Sequence, residues 1–523
     1  MTGGTTAMLR KAKDGWRQAE AGRVAAEGEA GGTGARPAGM RKTASAGLLV
    51  AVGTGVGNVL AYGFNLVLSR GLGPGGYAEL GTLLSVFLIG TVPGMAVQAV
   101  NARRLAVAAD APPAVRAALV RALRRRGLLV GAGVAVVFAV VAPAVGALLP
   151  SVTVGGVAWT GVSLAANTVF ASYLGIAQGT SRFVTMTVLY LTAHSTRLAI
   201  GAAAASAQIS PTMVMAAQTV AWALAGVAGR ILLRDEARDE AGDVTTSSGA
   251  ALEGTAEVTD EIALSGGYLM ADARESATPA RADDDRRAPS VTTPVADTHG
   301  YLTEVLRATG GLGGILLLTV LDTLLASRYL AGGDLGRYNT GALLARAAFF
   351  APGFVAMLAF PKLARPGERR RALLVSLALT GGIGMIGVTI AGIGGDTLIR
   401  AAFGAQYAEP GGFDLGAHAW LFTSVGALLA LVNLALLDGV ARRSHAVSAV
   451  VLAGIALEVG VVVGFAHGSP AAIVTAAAAS ALATATAAVV VCLTARPAPT
   501  EEPTPAAEHD AYRITGAPDA ARL

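Results

Sequence analysis

Stretches of about 20 predominantly apolar residues recur along this sequence, and each is long enough to cross the core of a bilayer as a helix. Six precede a polar gap, at about 46–69, 78–102, 127–149, 154–178, 183–207 and 211–233. Six more follow it, at about 308–330, 337–361, 372–394, 417–441, 446–467 and 470–495. The pattern predicts an all-α polytopic membrane protein whose twelve transmembrane helices fall into two groups of six.

Composition supports lipid as the solvent for most of the chain. Charged residues make up 14% of the sequence and apolar residues 53%, whereas soluble domains average about 25% charged. The single cysteine, Cys492, excludes a disulfide framework and a cysteine-based metal site. We therefore predict no cofactor, no metal ion and no nucleic-acid partner.

One segment occurs twice, at 68–106 and 321–365. Each copy has a Ser-Arg pair at the end of an apolar run, a glycine-rich turn ending in tyrosine, a second apolar run containing Pro-Gly, and a basic residue ten positions past the proline. The matching residues are Ser69 and Ser327, Tyr77 and Tyr338, Pro93 and Pro352, and Arg103 and Lys362. A duplicated hairpin in two apolar halves predicts a transporter built from repeats, with kinks at both prolines.

Cationic loops alternate with nearly neutral ones, as the positive-inside rule requires of an even number of spans. The predicted cytoplasmic loops carry Arg103, Arg104, Arg116, Arg121, Arg124, Arg125, Arg126, Arg182, Arg230, Arg234, Lys362, Arg365, Arg369, Arg370, Arg371, Arg442 and Arg443. The opposite loops carry Arg70, Arg328, Arg337 and Arg400. We predict a multi-pass protein of the cytoplasmic membrane with both termini in the cytoplasm.

Polar segments flank the two apolar regions, 45–234 and 303–495. Residues 1–44 lack the short apolar region of a secretory signal, and we expect a disordered cytoplasmic tail. Residues 235–302 hold 15 acidic and 5 basic residues, which predicts a disordered cytoplasmic linker. Residues 496–523 are polar and proline-rich and form a second predicted cytoplasmic tail.

Charged residues within the spans are candidates for function, because a charge in the bilayer centre is costly and usually faces a cavity. Arg197, Asp322, Arg346 and Glu458 all fall near the predicted midplane. Two interpretations stay open for them. They could line a substrate cavity, or Asp322 could simply neutralise Arg346 while Glu458 pairs with either arginine.

Three uncharged or titratable residues join this candidate set. His194 lies one helical turn from Arg197 and could titrate near neutrality or be satisfied by a neighbouring helix. Asn58 and Asn65 could line the cavity, although asparagines in membrane helices more often bridge neighbouring helices.

Four stretches carry a resemblance to a known family: SRGLGPGGYAELG, LDTLLASRYLAGGDLGRYNTGALL, AFPKLAR and FGAQYAEP. Over about residues 45–495, without the linker, the chain resembles the polysaccharide (Wzx-type) exporters and lipopolysaccharide-biosynthesis membrane proteins of the MOP flippase superfamily. The resemblance implies two six-helix bundles related by a pseudo-two-fold axis along the membrane normal, enclosing a cavity that opens to one side at a time. The long acidic insert departs from the family's short connection.

The same resemblance implies a flippase rather than an enzyme. Its substrate would be an isoprenoid-diphosphate-linked glycan, its surroundings membrane lipid, and its partners the assembly proteins of cell-envelope polysaccharide. Arg197 and Arg346 are the candidate diphosphate ligands. Two branches of the superfamily remain alternatives: peptidoglycan lipid-precursor flippases, and MATE exporters that couple drug efflux to protons or sodium. A membrane glycosyltransferase and a structural scaffold are the alternatives from other classes.

Overall fold

The computed structural model describes residues 38–233, 298–355, 359, 363, 367–409, 411–442 and 444–494. It divides into two units, Met1–Leu49 and Val50–Leu523, and the site lies within the second. The first unit contributes the beginning of one helix, from Ala38. The predictions for most of the two tails and for nearly all of the linker concern residues outside the described ranges.

Six helices form the first half. They are α1 (Ala38–Gly90), α2 (Val92–Val107), α3 (Pro113–Leu148), α4 (Val154–Gly179), α5 (Phe183–Ser206) and α6 (Pro211–Leu232). Helix α1 is two helices joined at Gly73, whose φ of 68° is accessible to glycine with little strain. It therefore contains the first predicted span and the beginning of the second. Helix α4 is central, packing against α2, α3, α5 and α6.

Six further helices form the second half. They are α7 (Thr298–Tyr329), α8 (Gly332–Phe350), α9 (Arg369–Phe403), α10 (Leu415–Ala441), α11 (Ala446–Gly464) and α12 (Pro470–Thr494). A short 3-10 helix, Ala405–Tyr407, follows α9. Helix α10, the counterpart of α4, packs against the other five helices of its half. Among the described residues all regular structure is helical, which confirms the predicted fold class.

By length and apolarity alone, eight helices in the described ranges can cross a membrane, or nine if the bent α7 is one span. One of the eight, Val52–Val107, covers two predicted spans because of the break at Gly73. Helices α5 and α8 do not meet the test. They carry Arg197 and Arg346, two of the candidate residues, and both side chains are buried.

The two prolines of the repeat stand at helix breaks, as predicted. Pro93 lies at the start of α2, just past the break at Thr91, and Pro352 follows the end of α8 at Phe350. The helix starts differ from the predicted boundaries. Helix α1 begins at Ala38, within the predicted tail, and α7 begins at Thr298, within the predicted linker.

Candidate functional site

Arg197, the candidate charge of the first half, is enclosed within that half. Nε of Arg197 donates to Oε1 of Gln218 over 2.7 Å, and Nε2 of Gln218 donates to Oγ of Ser163 over 3.1 Å. The guanidinium lies 4.0 Å from the ring centroid of Phe64, 5.6 Å from that of Phe87 and 5.7 Å from that of Trp222. Aromatic faces attract a cation, most strongly where water is excluded. Arg197 is thus held by its own half.

The neighbouring candidates serve the same half. The His194 ring contacts Tyr190 and Trp222 edge to face, with centroids 4.4 and 5.7 Å away. The Tyr190 hydroxyl donates to Oδ1 of Asn58 over 3.0 Å, so Asn58 bridges α1 and α5. Nδ2 of Asn65 donates to the Ala61 carbonyl one turn earlier in its own helix. Within the described ranges, no hydrogen bond joins these residues to the second half.

The second half buries the two candidate carboxyl groups, those of Asp322 and Glu458. Asp322 is 3% exposed and accepts hydrogen bonds from the Tyr338 hydroxyl at 3.2 Å and the Thr323 hydroxyl at 3.3 Å. Glu458 is also 3% exposed, and its Oε1 has no hydrogen-bond partner. Within the described ranges neither carboxylate forms an ion pair, so the expected pairing of Glu458 with an arginine is absent.

Arg346 is the candidate that bridges the halves. Its Nη2 donates to Oγ of Ser85 on α1 over 2.5 Å, and its Nε has no partner. Two turns earlier on α8, Nδ2 of Asn339 donates to the Ala78 carbonyl over 2.7 Å. Of the two interpretations left open by the sequence, a direct ion pair between Arg346 and Asp322 is not seen within the described ranges, because the guanidinium reaches across to Ser85.

The contacts of Arg346 with Ser85 and of Asn339 with Ala78 show where the pseudo-two-fold axis between the halves lies. Ser85 and Arg346 are 261 residues apart, and so are Ala78 and Asn339. The same interval separates the repeat tyrosines, Tyr77 and Tyr338. Each contact thus joins a residue to its own counterpart, as happens where a two-fold axis passes through an interface. Because the contacts lie about two turns apart along α8, the pseudo-two-fold axis runs along the helices.

The halves also meet at one end, here called the glycine end, which carries Gly73, Gly336 and Tyr407. The Tyr407 hydroxyl donates to the Ser69 carbonyl over 2.8 Å, and Nε2 of Gln406 donates to the Arg70 carbonyl over 2.7 Å. A Cβ on Gly336 would lie 1.6 Å from the Pro74 carbonyl oxygen, so only glycine allows this approach. The Arg70 guanidinium also donates to the Ala401 carbonyl over 3.1 Å, so hydrogen bonds to backbone carbonyls join the halves here.

At the arginine end, which carries Arg103, Arg104, Tyr301 and Glu304, the contacts are ionic. Glu304 of α7 accepts from Arg103 at 3.0 Å and from Arg104 at 2.9 Å, both on α2. The Tyr301 hydroxyl donates to Oδ1 of Asn101 over 3.1 Å. The first part of α7 lies against the first half, and Leu316 packs on Val92 farther along. In this structure the halves are in contact at both ends.

Several of these residues were not predicted from the sequence. Ser85 and Asn339 are uncharged, although the repeat interval could have singled out Ser85 as the counterpart of Arg346. Tyr301 and Glu304 lie at or beyond the edge of the predicted linker. Asp438, near the end of a span, is fully buried and paired with Arg369 and Arg442 at 2.8 and 2.9 Å. The described residues contain no cluster suited to a metal ion.

Comparisons with known proteins identify the fold. No family model and no curated protein matches the sequence. An inward-facing multidrug-resistance MATE transporter of the MOP superfamily matches with a TM-score of 0.56 at 11% identity, over 88% of this chain and 96% of that one. The eukaryotic MATE transporter AtDTX14 gives 0.53 at 10% identity, over 86% and 94%. An outward-facing MATE transporter of the superfamily gives 0.52 at 12%, over 86% and 94%. This multi-pass chain therefore has a fold similar to that of the MATE transporters.

Proposed function

We propose that this protein is a flippase that moves a lipid-linked oligosaccharide, or a related polysaccharide precursor, across the cytoplasmic membrane by alternating access. The fold supports a transporter, since the matching structures are transporters in both inward- and outward-facing states. The motifs around the repeat resemble those of polysaccharide exporters. The predicted orientation places the arginine end in the cytoplasm and the glycine end outside.

One observation carries the choice of an anionic substrate. Arg346 is buried beside the pseudo-two-fold axis, where both halves can reach a substrate, and its Nε donor has no partner. Guanidinium groups bind phosphate oxygens through two parallel hydrogen bonds. Arg197 is unsuited to this role in the present state, because Gln218 and three aromatic rings already surround it. We therefore assign the diphosphate of the carrier lipid to Arg346.

A second candidate rests on the second half. Asp322 and Glu458 are buried carboxyl groups, and neither forms an ion pair within the described ranges. Such a pair suits a cationic substrate or a coupling cation, as a drug exporter would require. A peptidoglycan-precursor flippase would use Arg346 in the same way as the leading proposal, because its lipid also carries an isoprenoid diphosphate.

Depletion of the protein, followed by lipid extraction, separates these functions. Accumulation of a lipid-linked oligosaccharide in the inner leaflet supports the proposal. Accumulation of the peptidoglycan precursor supports the related flippase. Unchanged glycolipids with new drug sensitivity would support the exporter and remove the diphosphate from the site.

The assignment of Arg346 is tested by substitution in cells that depend on the plasmid-borne protein. Arg346→Lys keeps the charge and loses the two-pronged geometry, so we expect export of the lipid-linked sugar to fall at least tenfold. Arg337→Lys, on the same helix and beside Asp334, is the matched control and should export normally. Normal export by Arg346→Lys at equal protein level would exclude two-pronged binding.

A further inference from the structure

Two opposite charges of the second half lie near each other without pairing. Arg346 is 8% exposed and Asp322 is 3% exposed, and the Tyr338 hydroxyl that donates to Asp322 belongs to α8, about two turns before Arg346. Asp322 accepts hydrogen bonds from the hydroxyl groups of Tyr338 and Thr323. Arg346 donates to Ser85 of the other half. Arg346 and Asp322 therefore do not form an ion pair while the halves are in contact.

Separation of the halves at the glycine end changes this balance. Ser85 belongs to α1 and Arg346 to α8, so their hydrogen bond cannot survive a separation of these helices. A buried charge that loses its partner is strongly destabilised unless another partner replaces it. Among the buried carboxyl groups of its own half, Asp322 is the one bonded to α8, the helix that carries Arg346, through the Tyr338 hydroxyl.

We propose that Ser85 and Asp322 are alternative partners of Arg346. Ser85 holds the guanidinium while the halves are joined at the glycine end, and Asp322 takes it when they separate. Ser85 is then a positioning residue for the joined state, and Asp322 is one for the separated state. The exchange forms a two-state element, because each partner stabilises only one arrangement of the halves.

The exchange also suggests how cargo is released, a step that rests on the proposed function. In the joined state Arg346 uses one N–H group for Ser85 and keeps Nε available for an anionic headgroup. In the separated state the Asp322 carboxylate competes for the same guanidinium. The anion would lose its ligand when the glycine end opens, on the side predicted to face outward.

Spin labels can test the exchange without any substrate. Gly75 on α1 and Gly333 on α8 flank the Pro74–Gly336 contact, and a side chain fits at both positions. Cysteines at these sites, in a Cys492→Ser background, allow distance measurement by double electron–electron resonance in nanodiscs. Ser85→Ala should raise the ratio of separated to joined molecules about tenfold, the effect expected for a lost hydrogen bond to a charged group. Adding Asp322→Asn should return the ratio close to the parent value.

Three controls make the outcome specific. Ser163→Ala removes another fully buried serine hydroxyl, but its bond to Gln218 stays within one half, so the ratio should not change. Ser85→Thr keeps the hydroxyl and should behave like the parent. In an Arg346→Met background neither Ser85→Ala nor Asp322→Asn should alter the distances.

Equal ratios for Ser85→Ala and Ser163→Ala would eliminate Ser85 as a positioning residue. A raised ratio that Asp322→Asn does not reverse would eliminate Asp322 as the second partner. If Ser85→Ala does not insert into the membrane, the proposal is tested in the Arg346→Met background. Adding Asp322→Asn to that background must leave the measured distances unaltered, and a changed distance would contradict the proposal. Because no substrate is present, these results stand or fall independently of the lipid analysis.

Discussion

The two halves of this protein share a helix plan and differ in the charge that they bury. The fifth helix of the first half carries Arg197, and the fifth helix of the second half carries Glu458. Five residues before the repeated Ser-Arg pair, the first half has Phe64 and the second has Asp322. Phe64 stacks on Arg197. Asp322 instead accepts a hydrogen bond from Tyr338, and Oε1 of Glu458 has no hydrogen-bond partner within the described ranges.

The difference indicates that the candidate charges of the two halves have different functions. Among the candidate charges, Arg197 of the first half is bonded to Gln218 and surrounded by aromatic rings. Within the described ranges, Oε1 of Glu458 and Nε of Arg346 have no hydrogen-bond partner. Unsatisfied buried groups gain the most from a new partner. We therefore expect Glu458 and Arg346 to respond to substrate and Arg197 to keep its contacts.

The largest expected effect concerns Arg197. Arg197→Met would leave the Gln218 carbonyl oxygen unpaired and remove the cation–ring contacts, and we expect it to lower the free energy of unfolding by about 3 kcal/mol. Thermal unfolding in detergent would measure the loss. The double change with Gln218→Leu should recover part of it, because removing both polar partners costs less than removing one. An unchanged thermal midpoint for Arg197→Met would show that the contacts of Arg197 do not stabilise the first half.

Glu458→Gln should act in the opposite direction. It removes a buried charge that has no cationic partner, and we expect the free energy of unfolding to rise by about 1 kcal/mol. Glu409→Gln, in an exposed loop, is the matched control and should change nothing measurable. A less stable Glu458→Gln variant would mean that the carboxylate has a partner in the membrane. The candidate charges of both halves would then be satisfied.

The smallest expected effect concerns the ion pairs between the halves at the arginine end. At the arginine end a carboxylate of the second half, Glu304, is satisfied by Arg103 and Arg104 of the first. All three side chains are partly exposed, so Glu304→Gln should cost about 0.5 kcal/mol, less at high salt. Thermal midpoints at low and high salt would measure it. A salt-independent loss of several kcal/mol would show that this contact is effectively buried.

The helical framework was largely predictable, since runs of about 20 apolar residues have few alternatives in lipid. The duplicated hairpin was predictable from four matching features, and it forms the contact at the pseudo-axis. The partners of the candidate charges were not predictable. Whether Arg346 meets Asp322 or Ser85 depends on which way one side chain points, and spacing along a helix does not decide that. The start of α7 at Thr298 was missed because its first turns are polar and follow an acidic stretch.

The approach of Gly336 to Pro74 also has a consequence for ancestry. Gly75 and Gly336 are separated by the same interval as the other counterpart pairs, so the duplication gave each half one of these glycines. Only Gly336 is needed for contact, because a side chain at Gly75 would meet no atom within 4 Å. Substitutions of Gly75 should therefore be tolerated, whereas selection should remove substitutions of Gly336. In remote relatives too diverged for ordinary sequence searches, we expect the second glycine to persist where the first has drifted.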